Sequence, residues 1–155
     1  MLPNHAIAGL TAISLMLVGP ALSPALGTAW ATTLITEHEA QLPANDAQMR
    51  SGIERGPDII PIYPSPKSGM IQSPFGFRIK FEAHGNTQVN LDTLTIVYKR
   101  TPDIDLTARV MPFARPDGID MPNAEVPAGT HRIWIFIKDS VGHEGRADIH
   151  FDVEK

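Results

Sequence analysis

The chain has 155 residues, a formal charge of -4, 43% hydrophobic and 19% charged residues, 14 prolines, 12 glycines and no cysteine. The length sets one modest domain, and the missing cysteine excludes a disulfide framework, a thiolate metal site, a cysteine nucleophile and a lipidated cysteine. The mild acidity weighs against nucleic acid as a partner, because phosphate binding needs clustered Lys and Arg.

No Lys, Arg, Asp or Glu precedes Glu37, and residues 6–18 (AIAGLTAISLMLV) form an apolar run of signal-peptide length, short for a spanning helix. Pro20 and Pro24 follow it. Ala29-Trp30-Ala31 then supplies a small-x-small cleavage pattern, so residues 1–31 are expected to be a signal peptide removed on export. The alternative is an uncleaved anchor, and only then would the chain meet a membrane. Export places the mature chain in the periplasm or outside the cell.

Residues 32–56 are polar and poor in aromatics, and they read as a linker or a loosely docked flexible arm. A weak helical pattern over Glu37 to Met49 is interrupted by Pro43. All 13 Lys and Arg lie at or beyond Arg50, while Glu37, Glu39 and Asp46 precede it, so the acidity belongs mainly to the arm.

From Pro57 the texture changes to short runs of Ile, Val, Phe and Thr punctuated by Pro, Gly, Asn and Asp. Asp58 to Tyr63 reads as an edge strand, because Pro61 lacks an N–H to donate. Phe75 to Ala83 alternates most cleanly, with Phe75, Phe77, Ile79 and Phe81 on one face. Leu94 to Arg100 follows, with Leu94, Ile96 and Tyr98 inward. Asp105 to Met111 and Ile119 to Val126 are further strands, separated by the breaker Arg115-Pro116-Asp117-Gly118. Thr130 to Asp139 turns Ile133, Ile135 and Ile137 inward, and a hairpin at Asp139 to His143 leads into Arg146 to Val153. Roughly seven strands in about a hundred residues give an all-β fold, an antiparallel sandwich spanning residues 57–155.

Three stretches carry a family resemblance: Pro64-Ser65-Pro66-Lys67-Ser68-Gly69 leading to Ser73-Pro74-Phe75, Val89 to Ile96, and Pro127 to Ile133 with Asp139 to His143. Together they resemble bacterial immunoglobulin-like domains of the cell envelope. His131 stands where such domains often have Tyr, His143 where they often have Asn, and the antibody-type Cys…Trp…Cys spacing is absent. The resemblance implies an immunoglobulin-like sandwich used for adhesion, spacing, carbohydrate binding or chaperoning, without choosing among them.

Candidate sites come from the polar and misplaced apolar residues. No histidine pair has H-x-x-x-H or H-x-H spacing. Asp148, His150 and Asp152 share one strand face, with His143 and Glu144 in the adjoining turn, and this set reads as a solvated polar face in preference to a cation site. His131 reads as a half-buried hydrogen-bonding residue. Asp103 and Asp105 lack any sign of a cleft, and no G-x-S-x-G, H-E-x-x-H or Walker A motif occurs, so no catalytic residue, metal ligand or cofactor is assigned and the chain is not read as an enzyme.

The most informative residues are Val97, Trp134 and Phe136, which alternation turns outward on two strands that neighbour each other in an immunoglobulin plan. They form a candidate interaction patch for a partner. The competing reading has the arm fold back over them through Leu34, Ile35, Leu42 or Ile53. The expected function is a non-catalytic exported module acting through contact with an envelope protein; the alternative is a ligand-binding module for a glycan or a metal ion. Copper-carrier proteins of the periplasm share the sandwich plan, but no Met-rich or His-first motif of their kind is present.

Overall fold

A computed structural model describes residues 30–50 and 55–154. The apolar run at residues 6–18, the prolines after it, Ala29 of the cleavage pattern and Ile53 lie outside the described residues. Among the described residues, no helix is long and apolar enough to cross a membrane.

The elements in chain order are β1 (Thr32–Thr33), α1 (Glu37–Ala40), β2 (Asp58–Tyr63), β3 (Met70–Ile71), β4 (Phe75–Glu82), β5 (Val89–Tyr98), β6 (Ile104–Asp105), α2 (Thr107–Val110), β7 (Ala114–Arg115), β8 (Gly118–Glu125), β9 (Gly129–Asp139) and β10 (Glu144–Val153). They build an all-β sandwich. The first sheet has the order β1-β8-β4-β2 with β7 paired to β8, and the second has the order β3-β10-β9-β5-β6. Neighbouring long strands are antiparallel, whereas the short β1 and β3 run parallel to β8 and β10.

Alternation explains the layers. Phe75, Phe77, Ile79 and Phe81 of β4 are buried, as are Ile133, Ile135 and Ile137 of β9 and Ile149, Phe151 and Val153 of β10. These side chains meet between the sheets in one cluster with Ile96, Tyr98, Ile119 and Met121. Each large apolar side chain taken fully from water contributes about 1.5–3 kcal/mol, so this layer carries most of the stability without a disulfide.

Two sequence expectations need correction. Of the stretch Asp105 to Met111 only Asp105 is in a strand and the chain is helical from Thr107, because Leu106 and Val110 are buried one helical turn apart and the Asp105 carboxylate accepts the Thr107 N–H at 2.8 Å. The segment read as a linker or flexible arm is, over residues 32–50, part of the packed structure. Leu34 and Ile35 are 0% and 1% exposed and belong to the core cluster, and Leu34 N–H donates to the Glu125 carbonyl at 2.9 Å.

The rest of that segment is tied at successive points. Thr36 and Glu39 form a capping box on α1, and the Arg109 guanidinium holds both Glu39 carboxylate oxygens at 2.7 and 2.8 Å while also donating to the Leu34 carbonyl. Thr101 N–H donates to Pro43, Ala44 bridges Arg100, and Asn45 donates to Asp103 at 2.9 Å. Finally Arg146 donates to the Arg50 carbonyl at 3.0 Å. The arm therefore runs from the β8 edge of one sheet to the outer face of the other.

Candidate functional site

The outer face of the second sheet is a set of rungs fixed by register. Val97 lies opposite Trp134 and Trp134 opposite Asp148; Thr95 lies opposite Phe136 and Phe136 opposite Arg146; Arg132 lies opposite His150. Val97, Trp134 and Phe136 are thus side by side, with the Trp134 and Phe136 rings edge-on at 6.2 Å.

All three are half-buried, so the open apolar patch expected from alternation is not what this face presents. Charged side chains close over it. The Lys99 ammonium sits 4.0 Å from the Trp134 ring centroid and the Arg132 guanidinium 5.4 Å from it, an arrangement favourable to the negative face of an indole. Lys99 is itself only 4% exposed, and its ammonium is held by Asp103 at 2.6 Å. Arm residues 45–50 approach the same face through Asn45 and Arg50. Of the four arm residues expected to cover the patch, Leu34 and Ile35 instead enter the core, Leu42 is half-buried, and Ile53 lies outside the described residues.

Asp148 is the electrostatic centre of this face. Arg132 grips it from two nitrogens, and His150 Nε2 lies 3.0 Å from Oδ1, the oxygen that Arg132 Nε also contacts. Burial pushes this carboxyl up, but Arg132, His150 and the nearby Trp134 indole together hold it below the usual carboxylate range. The indole N–H is buried and makes no well-formed hydrogen bond. Asp152 differs, because the bond it makes is to the Thr130 hydroxyl at 2.6 Å.

The other polar residues singled out in the sequence have structural places. His131 is fully buried: its Nε2 donates to the Pro127 carbonyl at 2.8 Å, and its Nδ1 accepts from Tyr98 at 2.9 Å. His143 pairs with Asp139, whose carboxylate also accepts the Val141 and His143 backbone N–H groups and so ties the hairpin together. Asp103 joins Lys99 to the arm, and Asp105 accepts the Thr107 N–H in the turn that leads into α2. Among the described residues, no group of three or more His, Cys, Asp or Glu side chains is placed to hold a metal ion.

The structure adds a surface that alternation did not indicate. A groove of about 570 Å³ runs between the 61–70 segment and β10, lined by Pro61, Pro66 and Met70 on one side and by Asp148, His150 and Asp152 on the other. Met70 is 64% exposed at this groove, and Ile62 is 50% exposed beside Pro61. The groove exists because the chain leaves one sheet for the other here: β2 pairs with β4, and β3 then pairs with the end of β10. Pro61, an edge signal, and the dense Pro64 to Gly69 turn were the sequence features at this crossing; nothing in them set Met70 outward.

One edge of β10 opens onto the groove. Glu154 N–H donates to Ile71, and β3 pairs with β10 at Asp152 and Val153. Successive residues of a strand present their backbone groups to opposite sides, so Asp148 and His150 face the same side as Asp152, away from β9. Among the described residues, no strand pairs with Asp148 and His150 on that side.

No family model matches the sequence, and no curated protein matches it. Among solved structures the chain is similar to the crystal structure of CopC from Methylosinus trichosporium OB3b, at 14% identity over 63% of this chain and 93% of that chain, with a TM-score of 0.41. A likeness of that degree says nothing about ligand or role, which must come from the geometry of the groove and the outer face.

Proposed function

We propose that this chain is a non-catalytic exported module of immunoglobulin-like plan that acts through protein contact in the cell envelope. The immunoglobulin-like part is supported by the strand order, in which the first long strand joins one sheet and its short continuation, β3, runs parallel to the last strand in the other. The contact part is carried by one observation: the groove beside β10, where Met70 stands exposed next to a strand edge that no described strand pairs at Asp148 and His150. Exposed apolar side chains and unpaired backbone edges are both features that native folds limit unless a partner uses them.

This reading moves the contact surface away from Val97, Trp134 and Phe136, which are half-buried under Lys99 and Arg132. The test is capture from an envelope fraction with wild-type protein, Met70→Asp and Trp134→Ala. A partner held by wild type and Trp134→Ala but lost with Met70→Asp is the expected result. Capture that is lost only with Trp134→Ala, or absent throughout, contradicts the reading.

A further inference from the structure

We infer that the groove takes an extended segment of a partner protein, added as a strand on the open edge of β10, with apolar side chains against Met70 and Pro66 and a Lys or Arg against Asp152. The inference rests on the protein-contact reading and specifies the conformation and charge of what is bound.

Three observations carry it. The backbone groups of Asp148 and His150 face the groove with no described strand opposite them, and main-chain pairing is what such an edge offers. An incoming strand would continue the line that β3 starts at Asp152 and Val153, so the ladder is already begun. The lining is apolar along Pro61, Pro66 and Met70 and acidic along Asp148 and Asp152, with no Lys or Arg among the lining residues.

Charge complementarity selects the occupant. Asp148 is already held by Arg132, whereas the partner of Asp152 is a neutral hydroxyl. Asp152 is exposed, so its carboxylate can be reached by a cation from outside. A strand placing alternate side chains toward the groove therefore gains from apolar residues beside Met70 and from one basic residue beside Asp152.

The test uses the chain from residue 32 labelled with nitrogen-15, and three blocked seven-residue peptides: a Lys peptide with Val, Lys and Val on one face and Thr at the alternate positions, a Glu peptide with Glu in place of that Lys, and a Pro peptide that keeps the Lys but has Pro in place of each Thr. The Lys peptide is expected to shift the Asp148 and His150 amide signals and slow their exchange with solvent. The Glu peptide should bind about fivefold more weakly, the scale of one exposed charge pair. Asp152→Asn should reduce the difference and Asp152→Lys should reverse it, with the dispersion of the remaining signals reporting that each variant is folded.

Equal binding of the Lys and Pro peptides overturns strand addition, and equal binding of the Lys and Glu peptides overturns the charge assignment. Dimerisation through the same amides without any peptide makes a second copy the occupant and overturns the inference. Silence of these amides toward every peptide also overturns it. If Met70→Asp still abolishes capture in that case, the contact reading stands alone; if no capture occurs either, both fall.

Discussion

Arg100, Tyr98 and His131 form a directional chain of hydrogen bonds. Arg100 Nε donates to the Tyr98 hydroxyl at 2.8 Å, that hydroxyl donates to His131 Nδ1, and His131 Nε2 donates to Pro127. The neutral imidazole is therefore satisfied at both nitrogens. Burial lowers the His131 pKa below its ordinary value, the Pro127 carbonyl opposes that, and the Arg100 charge adds to it. An unfolded histidine titrates near pH 6.5, so as the pH falls through about 6.5 the unfolded chain takes up the proton first and stability drops. The loss should approach about 1.4 kcal/mol per pH unit until the folded-state pKa is reached. Denaturant unfolding of wild type and His131→Gln between pH 7 and 5 checks this: the variant starts less stable and has the shallower slope. Parallel slopes would contradict it.

How far single residues could be read from sequence depended on local spacing. His131 was legible as a hydrogen-bonding residue because it occupies an inward position of an alternating strand, although it is buried fully and not by half. Trp134 and Phe136 were correctly turned away from the core. Their cover was not legible, because Lys99 reaches the Trp134 ring from a neighbouring strand and Arg132 from two residues before it. No local pattern marks which long charged side chain will lie over an aromatic ring.

Among the elements, the arm was the least legible. Leu34 and Ile35 are two apolar residues in a polar stretch, too few to show a period, and their burial depends on the β8 edge that β1 joins. Truncating one of them should cost what a core residue costs: Leu34→Ala is expected to destabilise by about 2–5 kcal/mol in denaturant unfolding. A surface linker would lose nothing measurable. The clamp on α1 gives a second check. The paired Arg109 guanidinium holds the Glu39 carboxyl at about 2, well below its ordinary value of 4.5, against the opposing effect of burial. That stabilisation is present above pH 4.5 and is lost as the pH falls from 4.5 towards 2. Glu39→Gln should lower stability at pH 7 by on the order of 2 kcal/mol and remove this acid limb.

The long strands were legible because each alternates over six residues or more, as β4, β9 and β10 do. The two-residue strands were not, since two residues carry no period. The 105–111 segment misled because Leu106 and Val110 suit either structure, and the turn in which the Asp105 carboxylate accepts the Thr107 N–H ends β6 and leads into α2. Where the chain enters β2 it passes tightly against the start of β10, backbone on backbone. A Cβ on Gly145 would lie 1.9 Å from the Pro57 carbonyl oxygen, and one on Gly56 would lie 2.2 Å from Glu144. Gly145→Ala must therefore push the two strands apart. It is expected to lower the melting temperature clearly and to disturb the β2 and β10 amide signals beyond its own neighbours; an unchanged melting temperature would contradict that close approach.

For the molecule as a whole, the two-sheet sandwich followed from strand count and spacing, and its stability rests on the Phe and Ile layers between the sheets. The groove proposed for binding did not follow, because it arises where the chain crosses between sheets and not from any strand's own pattern. The outer face that alternation marked is covered by charge and by the arm, while the groove beside β10 keeps Met70 exposed. The most direct measurement is site-specific photo-crosslinking in living cells, with a benzophenone side chain placed at position 70 or at position 134 in turn. The account predicts a discrete adduct of higher mass from position 70 and none from position 134; an adduct from position 134 alone, or none from position 70, would contradict it.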